Sequence, residues 1–256
     1  MNLKNTSWLA PTFFWIGILL IWEWSAHNGG IARLFFPAPS VIVAAFARQT
    51  ANGELVIALG YTLARLGLGL LLGAIPGLLL GLVMGWSRAV RVVAEPVVAA
   101  FHPLPKLALL PLVLVIFGIG EQSKIVMIAL AAFFPMLINS MSGVRQIDAL
   151  TWEVARHYNA RGWILLRRVI LPGSLPMILA GVKLAVNVAL LITVTVEMVT
   201  ARQGLGATIW LAWQTLRTEN LYAALIVIAS LGLITNWILE RLTARWIPWQ
   251  SDHMTT

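Results

Sequence analysis

The sequence predicts an all-α, polytopic membrane protein with about six transmembrane helices. Three observations carry that expectation. Of 256 residues, 59% are hydrophobic and 11% charged, with a mean hydropathy of +0.85, which leaves too little polar surface to coat a soluble globule. The apolar residues collect into runs near the ~20 residues that cross a bilayer as helix. Trp8, Trp22, Trp24, Trp86, Trp246 and Trp249 stand near the ends of those runs, where an amphipathic ring suits the headgroup layer.

The first run, about 8–26, follows Lys4 and is read as a retained helix, because no small-x-small cleavage site follows it and Trp24 stands where one would be needed. A second span covers about 61–86 and carries Gly69, Gly73, Gly77, Gly81 and Gly85, one glycine at every fourth position. Such a stripe lets another backbone approach closely in a right-handed crossing. The third span, about 94–118, contains Pro96, Pro103, Pro105 and Pro111. These break the helical ladder, and a broken helix survives at membrane depth only inside protein or beside a cavity. Further spans are expected at about 124–143, 174–200 and 221–242. With both termini in the cytoplasm, inner segments hold about twice the Lys and Arg of outer ones, as the positive-inside rule requires.

Net charge of +8 and a pI near 10.8 do not indicate nucleic acid, because no Lys/Arg cluster with interleaved aromatics lies outside the loops between apolar runs. The absence of cysteine excludes disulfides and thiolate metal sites. No cofactor is expected. An intramembrane enzyme would need a nucleophile or metal constellation, and there is no His-Glu-x-x-His, no Gly-x-Ser-x-Gly, and the two aspartates, Asp148 and Asp252, lie outside the spans. No internal repeat relates the halves, which weighs against the alternative of an ion-driven secondary transporter built on inverted repeats.

Between the fourth and fifth spans, residues 144–173 are too polar to cross and rich in helix formers. Asp148 is placed to cap a helix starting near Ala149, and Glu153 lies early in that helix, near the positive end of its dipole. Asn159 and Gly162 tolerate left-handed backbone, so the chain turns there. A second short helix, Trp163 to Ile170, is expected to end before Pro172. Two short helices at an angle form a protruding knob.

Glu153-Val154-Ala155, the turn residue Asn159, and Val169-Ile170-Leu171-Pro172 resemble the EAA loop of ABC importer permeases, whose form is Glu-Ala-Ala, three residues, Gly, nine residues, Ile-x-Leu-Pro. Glu153, Ala155, Leu171 and Pro172 match directly; Val154, Asn159 and Val169 replace Ala, Gly and Ile. Phe36-Pro37-Ala38-Pro39-Ser40, the 111–125 segment and the 197–206 segment extend the likeness over nearly the whole chain, toward permeases for taurine, alkanesulfonates, nitrate and bicarbonate.

The resemblance implies a single permease domain over 1–256, of the type I importer fold, in a bacterial inner membrane. It implies ATPase coupling through Glu153, Val154, Ala155, Asn159, Gly162, Leu171 and Pro172, a separate ABC ATPase, an extracytoplasmic substrate-binding protein and a second permease copy. The chain itself carries no Gly-x4-Gly-Lys-Ser/Thr phosphate loop, so ATP is bound elsewhere.

Ionisable groups inside spans are functional candidates, since a charge at the bilayer centre costs at least ~2.5 kcal/mol. Lys183, Asn187 and Glu197 share one face of the fifth span over roughly 21 Å of helical rise. They either line an anion path, or Lys183 snorkels to the headgroups while Glu197 marks the far boundary. His102 and Lys106, four apart in the proline-broken span, either face the same path or pack.

Overall fold

The computed structural model describes residues 9–30, 32 and 34–247. Lys4, Trp8, Trp249 and Asp252, used above, lie outside the described residues. Among those described, the chain is helical, without strands.

Helix α1 (Leu9–His27) covers the first expected span, and α2 (Pro39–Ala51) follows it. Pro39 opens α2, where its fixed φ is favourable and its missing N–H costs nothing. Glu23 of α1 supplies the cap: its carboxylate accepts from the Ser40 N–H at 3.0 Å and the Ser40 hydroxyl at 2.6 Å.

Helices α3 (Glu54–Trp86), α6 (Glu121–Arg145) and α9 (Leu171–Thr200) form the centre. The glycine stripe of α3 lies directly on α6. A Cβ at Gly73 would strike the Ala129 backbone and one at Gly77 the Phe133 carbonyl, while Gly69 and Gly85 face Ile128 and Val144. The two helices therefore approach closely from Gly69 to Gly85, with backbone against backbone at Gly73, Gly77 and Gly81, the approach that a four-residue small repeat permits. On the other side of α6, Gly143 meets Ser174 and Met177 of α9, and Gly181 of α9 meets Asn139. Fully buried Ile128, Ala132, Ala185 and Ala189 fill the space between.

The third expected span is not one helix. α4 (Arg88–Phe101) and the segment Lys106–Phe117, whose second part is α5 (Leu110–Phe117), meet at 89°. Pro103 and Pro105 have no N–H, so carbonyls at the end of α4 lose their helical donors. The Lys106 ammonium replaces them, donating to the carbonyls of Phe101 (3.1 Å), His102 (2.7 Å) and Leu104 (3.0 Å).

After α6 come α7 (Ala149–His157) and α8 (Gly162–Leu165). The expected stop before Pro172 does not occur. α8 continues through a π turn, Leu166–Ile170, directly into α9. The wider π turn shifts the bonding ladder at the residue lacking an N–H, and Ser174 donates to the Ile170 carbonyl at 2.5 Å. Gly162 to Thr200 thus forms one 39-residue rod.

Helix α10 (Leu205–Gln214), which the sequence reading did not anticipate, precedes α11 (Thr218–Trp246). By length and composition four elements among the described residues can cross a membrane alone: α3, α6, the α8–α9 rod and α11. The bent pair makes a fifth if it is one span. The expected count of six is not reached by this measure.

Candidate functional site

The 146–170 knob stands at the junction of α6 and α9. Helix α7 ends in a Schellman motif: the Ala160 N–H reaches the Ala155 carbonyl (2.9 Å) and the Asn159 N–H the Arg156 carbonyl (3.0 Å). Asn159 occupies the left-handed position with φ 51°, and Gly162 is left-handed too at φ 54°. Asn is among the few side chains that take that conformation at low cost. Asp148 stands at the N-cap of α7, yet its side chain makes no capping bond.

The two faces of the knob differ. Ala155, Leu165 and Ile170 point inward and join Val144 of α6 and Leu82 of α3 in one apolar cluster. Ala155 is only 6% exposed, so it seats the knob on the membrane helices and offers no surface to a partner. Leu150 and Val154 of α7 and Tyr158 at its C-cap, spaced four apart, point outward together with Trp163 and Ile164; Tyr158 is 85% exposed and Trp163 68%. Glu153 is exposed beside them, as are Arg156, Arg161, Arg167 and Arg168. An apolar patch rimmed by charge is the usual form of a protein-binding surface. Leu171 is half-buried and Pro172 exposed at the start of α9.

The expected polar stripe of α9 divides. Lys183 is partly exposed and pairs with Glu240 of α11 at 2.9 Å, a partner the single-helix reading missed. Asn187 is half-buried. Glu197 is fully buried, and no part of it faces an open path. Lys106 spends its donors on the α4 carbonyls and sits 4.5 Å over the Phe134 ring, while the His102 ring lies 5.8 Å from the same ring. Both pin the helix break against α6.

At the end of α9 opposite the knob lies a charged cluster that sequence reasoning did not assemble. Arg65 of α3 grips Glu121 of α6 with two bonds (2.6 and 2.9 Å) and donates to Glu197 at 2.7 Å and to the Gln203 carbonyl at 2.6 Å. Lys124 adds a bond to Glu121 at 2.7 Å. The signal was present: an arginine inside an apolar span demands an acidic partner. No group of three or more His, Asp or Glu able to hold a metal occurs among the described residues.

The family described as "Binding-protein-dependent transport system inner membrane component" matches residues 77–248. The chain belongs to this family. Several members share most of their length with this permease. It is 33% identical over 250 residues to a Bacillus subtilis protein named as an aliphatic sulfonates transport permease, SsuC, covering 98% of this chain and 91% of that one. An Escherichia coli protein with the same name is 36% identical, over 94% of this chain and 92% of the relative. The taurine transport system permease protein TauC of Escherichia coli is 32% identical over 92% and 87%.

Among solved structures, one of the MetNI methionine ABC transporter in inward-facing conformations superimposes with a TM-score of 0.65 at 18% identity, covering 77% of this chain and 98% of that one. The fold is therefore the ABC importer permease fold. The protein is the membrane-embedded permease subunit of such an importer, and ATP hydrolysis belongs to a partner ATPase.

Proposed function

We propose that two copies of this permease enclose a path for a small sulfonate, either an alkanesulfonate anion or taurine, whose sulfonate is the anionic end of a zwitterion, with the anions nitrate and bicarbonate as the related alternatives. The observation that carries this reading is the identity of 32–36%, over more than nine-tenths of this chain, with relatives named for aliphatic sulfonates and taurine. An extracytoplasmic binding protein delivers the anion, and the 146–170 knob docks on the ATPase through Glu153, Val154 and their exposed neighbours. One chain offers one knob, whereas ATP-driven closure uses two ATPases, which favours a homodimer. The α4–α5 arm supports a second copy: Val93 and Val115 on it, and Ile119 in the turn that follows, are more than three-quarters exposed, and α4 buries no residue within its own chain.

In this reading Lys183 lies beside the path and Glu240 holds it between passages. A fixed cation 4 Å from the anion contributes about 4 kcal/mol at an effective dielectric near 20. The test is ATP-dependent uptake of radiolabelled taurine by the permease reconstituted with its ATPase and binding protein. Wild type is expected to accumulate taurine, and Lys183→Gln, which leaves Glu240 unpaired and repulsive, to do so at least about tenfold more slowly, a third of that Coulomb energy. Equal rates for Gln and Lys would remove Lys183 from the path. No ATP-dependent uptake of any sulfonate would overturn the substrate class.

The Lys/Arg asymmetry supports a topology with both termini in the cytoplasm and the knob inside. A reporter active only in the periplasm is expected to give signal when fused after Gly53 and none after Arg156. The reverse pattern would invert the topology.

A further inference from the structure

Helix α10 has no cap of its own. Its N-cap residue is Gly204, at φ 118°, which carries no side chain, yet the first N–H groups of the helix need acceptors. They find them on other helices: the Leu205 N–H donates to the Thr62 hydroxyl of α3 at 2.9 Å, and the Gly206 N–H to the Glu197 carboxylate of α9 at 3.0 Å. Thr62 in turn donates to the same carboxylate at 2.9 Å. A carboxylate at that position also suits the positive end of the α10 dipole.

The turn is shaped around that carboxylate. A Cβ at Gly204 would fall within 2.6 Å of the Glu197 carboxyl atoms, and one at Gly206 would strike the Val194 carbonyl. Glycine at both places lets the backbone close over Glu197, whose side chain is 1% exposed. Arg65 closes the cluster from the other side, holding Glu197 and the Gln203 carbonyl with one nitrogen and Glu121 with the other two. Two cations, Arg65 and Lys124, balance two carboxylates, so the cluster is complete without a bound ion.

One guanidinium therefore joins α3, α6, α9 and the turn into α10, at the end of the central helices remote from the knob. The glycine contacts make α3 and α6 a single body, and the knob is the link between α6 and α9. We propose that the Arg65–Glu197 pair, with Thr62, is the clamp that makes α10 move with this body, so that displacement of the knob by the ATPase reaches the opposite end of the permease. Glu197 and Arg65 are positioning residues in this scheme. They hold α10 and do not touch the transported species.

The chain has no cysteine, so spin labels attach to the permease only where a cysteine is introduced; the partner ATPase is used in a cysteine-free form. Leu211→Cys on α10 and Leu68→Cys on α3, both exposed, report the clamp; Leu68→Cys with Leu184→Cys on α9 serves as reference. Distances are measured by pulsed electron resonance on the full permease–ATPase complex in nanodiscs, nucleotide-free and vanadate-trapped. Wild type is expected to give a narrow α3–α10 distribution in both states. Glu197→Gln and Thr62→Val are expected to broaden it, leave the α3–α9 reference unchanged, retain ATP hydrolysis, and lower taurine uptake at least about threefold, the scale on which buried networks change coupling.

Unchanged α3–α10 distances in both variants would overturn the clamp. Broadened distances with undiminished uptake would show that α10 position plays no part in transport and overturn the proposal as well. If Glu197→Gln fails to assemble, the nearly isosteric Thr62→Val decides alone. A wild-type complex that takes up no sulfonate overturns the substrate reading above, and the distances then decide the clamp by themselves.

Discussion

Replacing Gly73 with leucine is expected to remove folded permease from the membrane, whereas the same replacement at Gly67, six positions earlier on the same helix, is expected to be tolerated. A side chain at Gly73 must enter the backbone of Ala129, which cannot move without displacing α6; a Cβ at Gly67 meets nothing within 4 Å. Overpacking typically costs about 1–3 kcal/mol and occasionally more; a clash with backbone belongs at the upper end, where ~3 kcal/mol is more than a hundredfold in a folding equilibrium. Gly77→Leu, facing the Phe133 carbonyl, should behave as Gly73→Leu does. The check is permease abundance in membranes together with the monodisperse fraction after detergent extraction. Normal abundance of Gly73→Leu would mean that α3 and α6 do not pack along the glycine stripe.

That stripe was legible in the sequence because its cause is local: five glycines four residues apart can mark nothing but one face of one helix. The break in the third span was legible for a similar reason, since Pro103 and Pro105 remove donors wherever they stand. Helices α2 and α10 were not, because 13 and 10 residues are too few to cross a bilayer and so leave no hydropathy signal. The burial of Glu197 was not legible for a different reason. A helical wheel groups it with Lys183 and Asn187, but what buries it is Arg65, 132 positions away, and no property of α9 alone reveals that partner. Ala155 shows the limit of a motif: the EAA pattern gives its position in the knob and not the side it faces. Pro172 was read as a stop because the π turn that absorbs it has no signature in composition.

The knob carries the second large expected effect. Trp163→Ala and Tyr158→Ala are expected to abolish most uptake while leaving permease abundance normal. Both side chains stand outside the apolar cluster of the knob, so truncating them leaves the fold untouched, and exposed aromatic anchors at protein interfaces each contribute ~2 kcal/mol or more to binding. Glu153→Lys, on the same exposed surface, should also weaken docking. Ala155→Trp belongs to another class: because Ala155 packs on Ile170 and Val144, tryptophan there should unseat the knob and lower abundance itself. Asn159→Gly should be tolerated, since glycine adopts φ 51° at least as readily as asparagine. Uptake, membrane abundance and recovery of the ATPase with the tagged permease, measured together, separate these outcomes. Normal ATPase recovery in Trp163→Ala and Tyr158→Ala would refute the assignment of this surface.

The most direct measurement is cysteine cross-linking from the cysteine-free chain to its ATPase in membranes containing the assembled importer. Tyr158→Cys and Trp163→Cys are expected to form cross-linked permease–ATPase adducts with a short bifunctional thiol–amine reagent, and Leu211→Cys on α10 to form none. Adducts from Leu211→Cys, with none from the two knob positions, would contradict the assignment of the 146–170 knob as the surface through which ATP hydrolysis drives this permease.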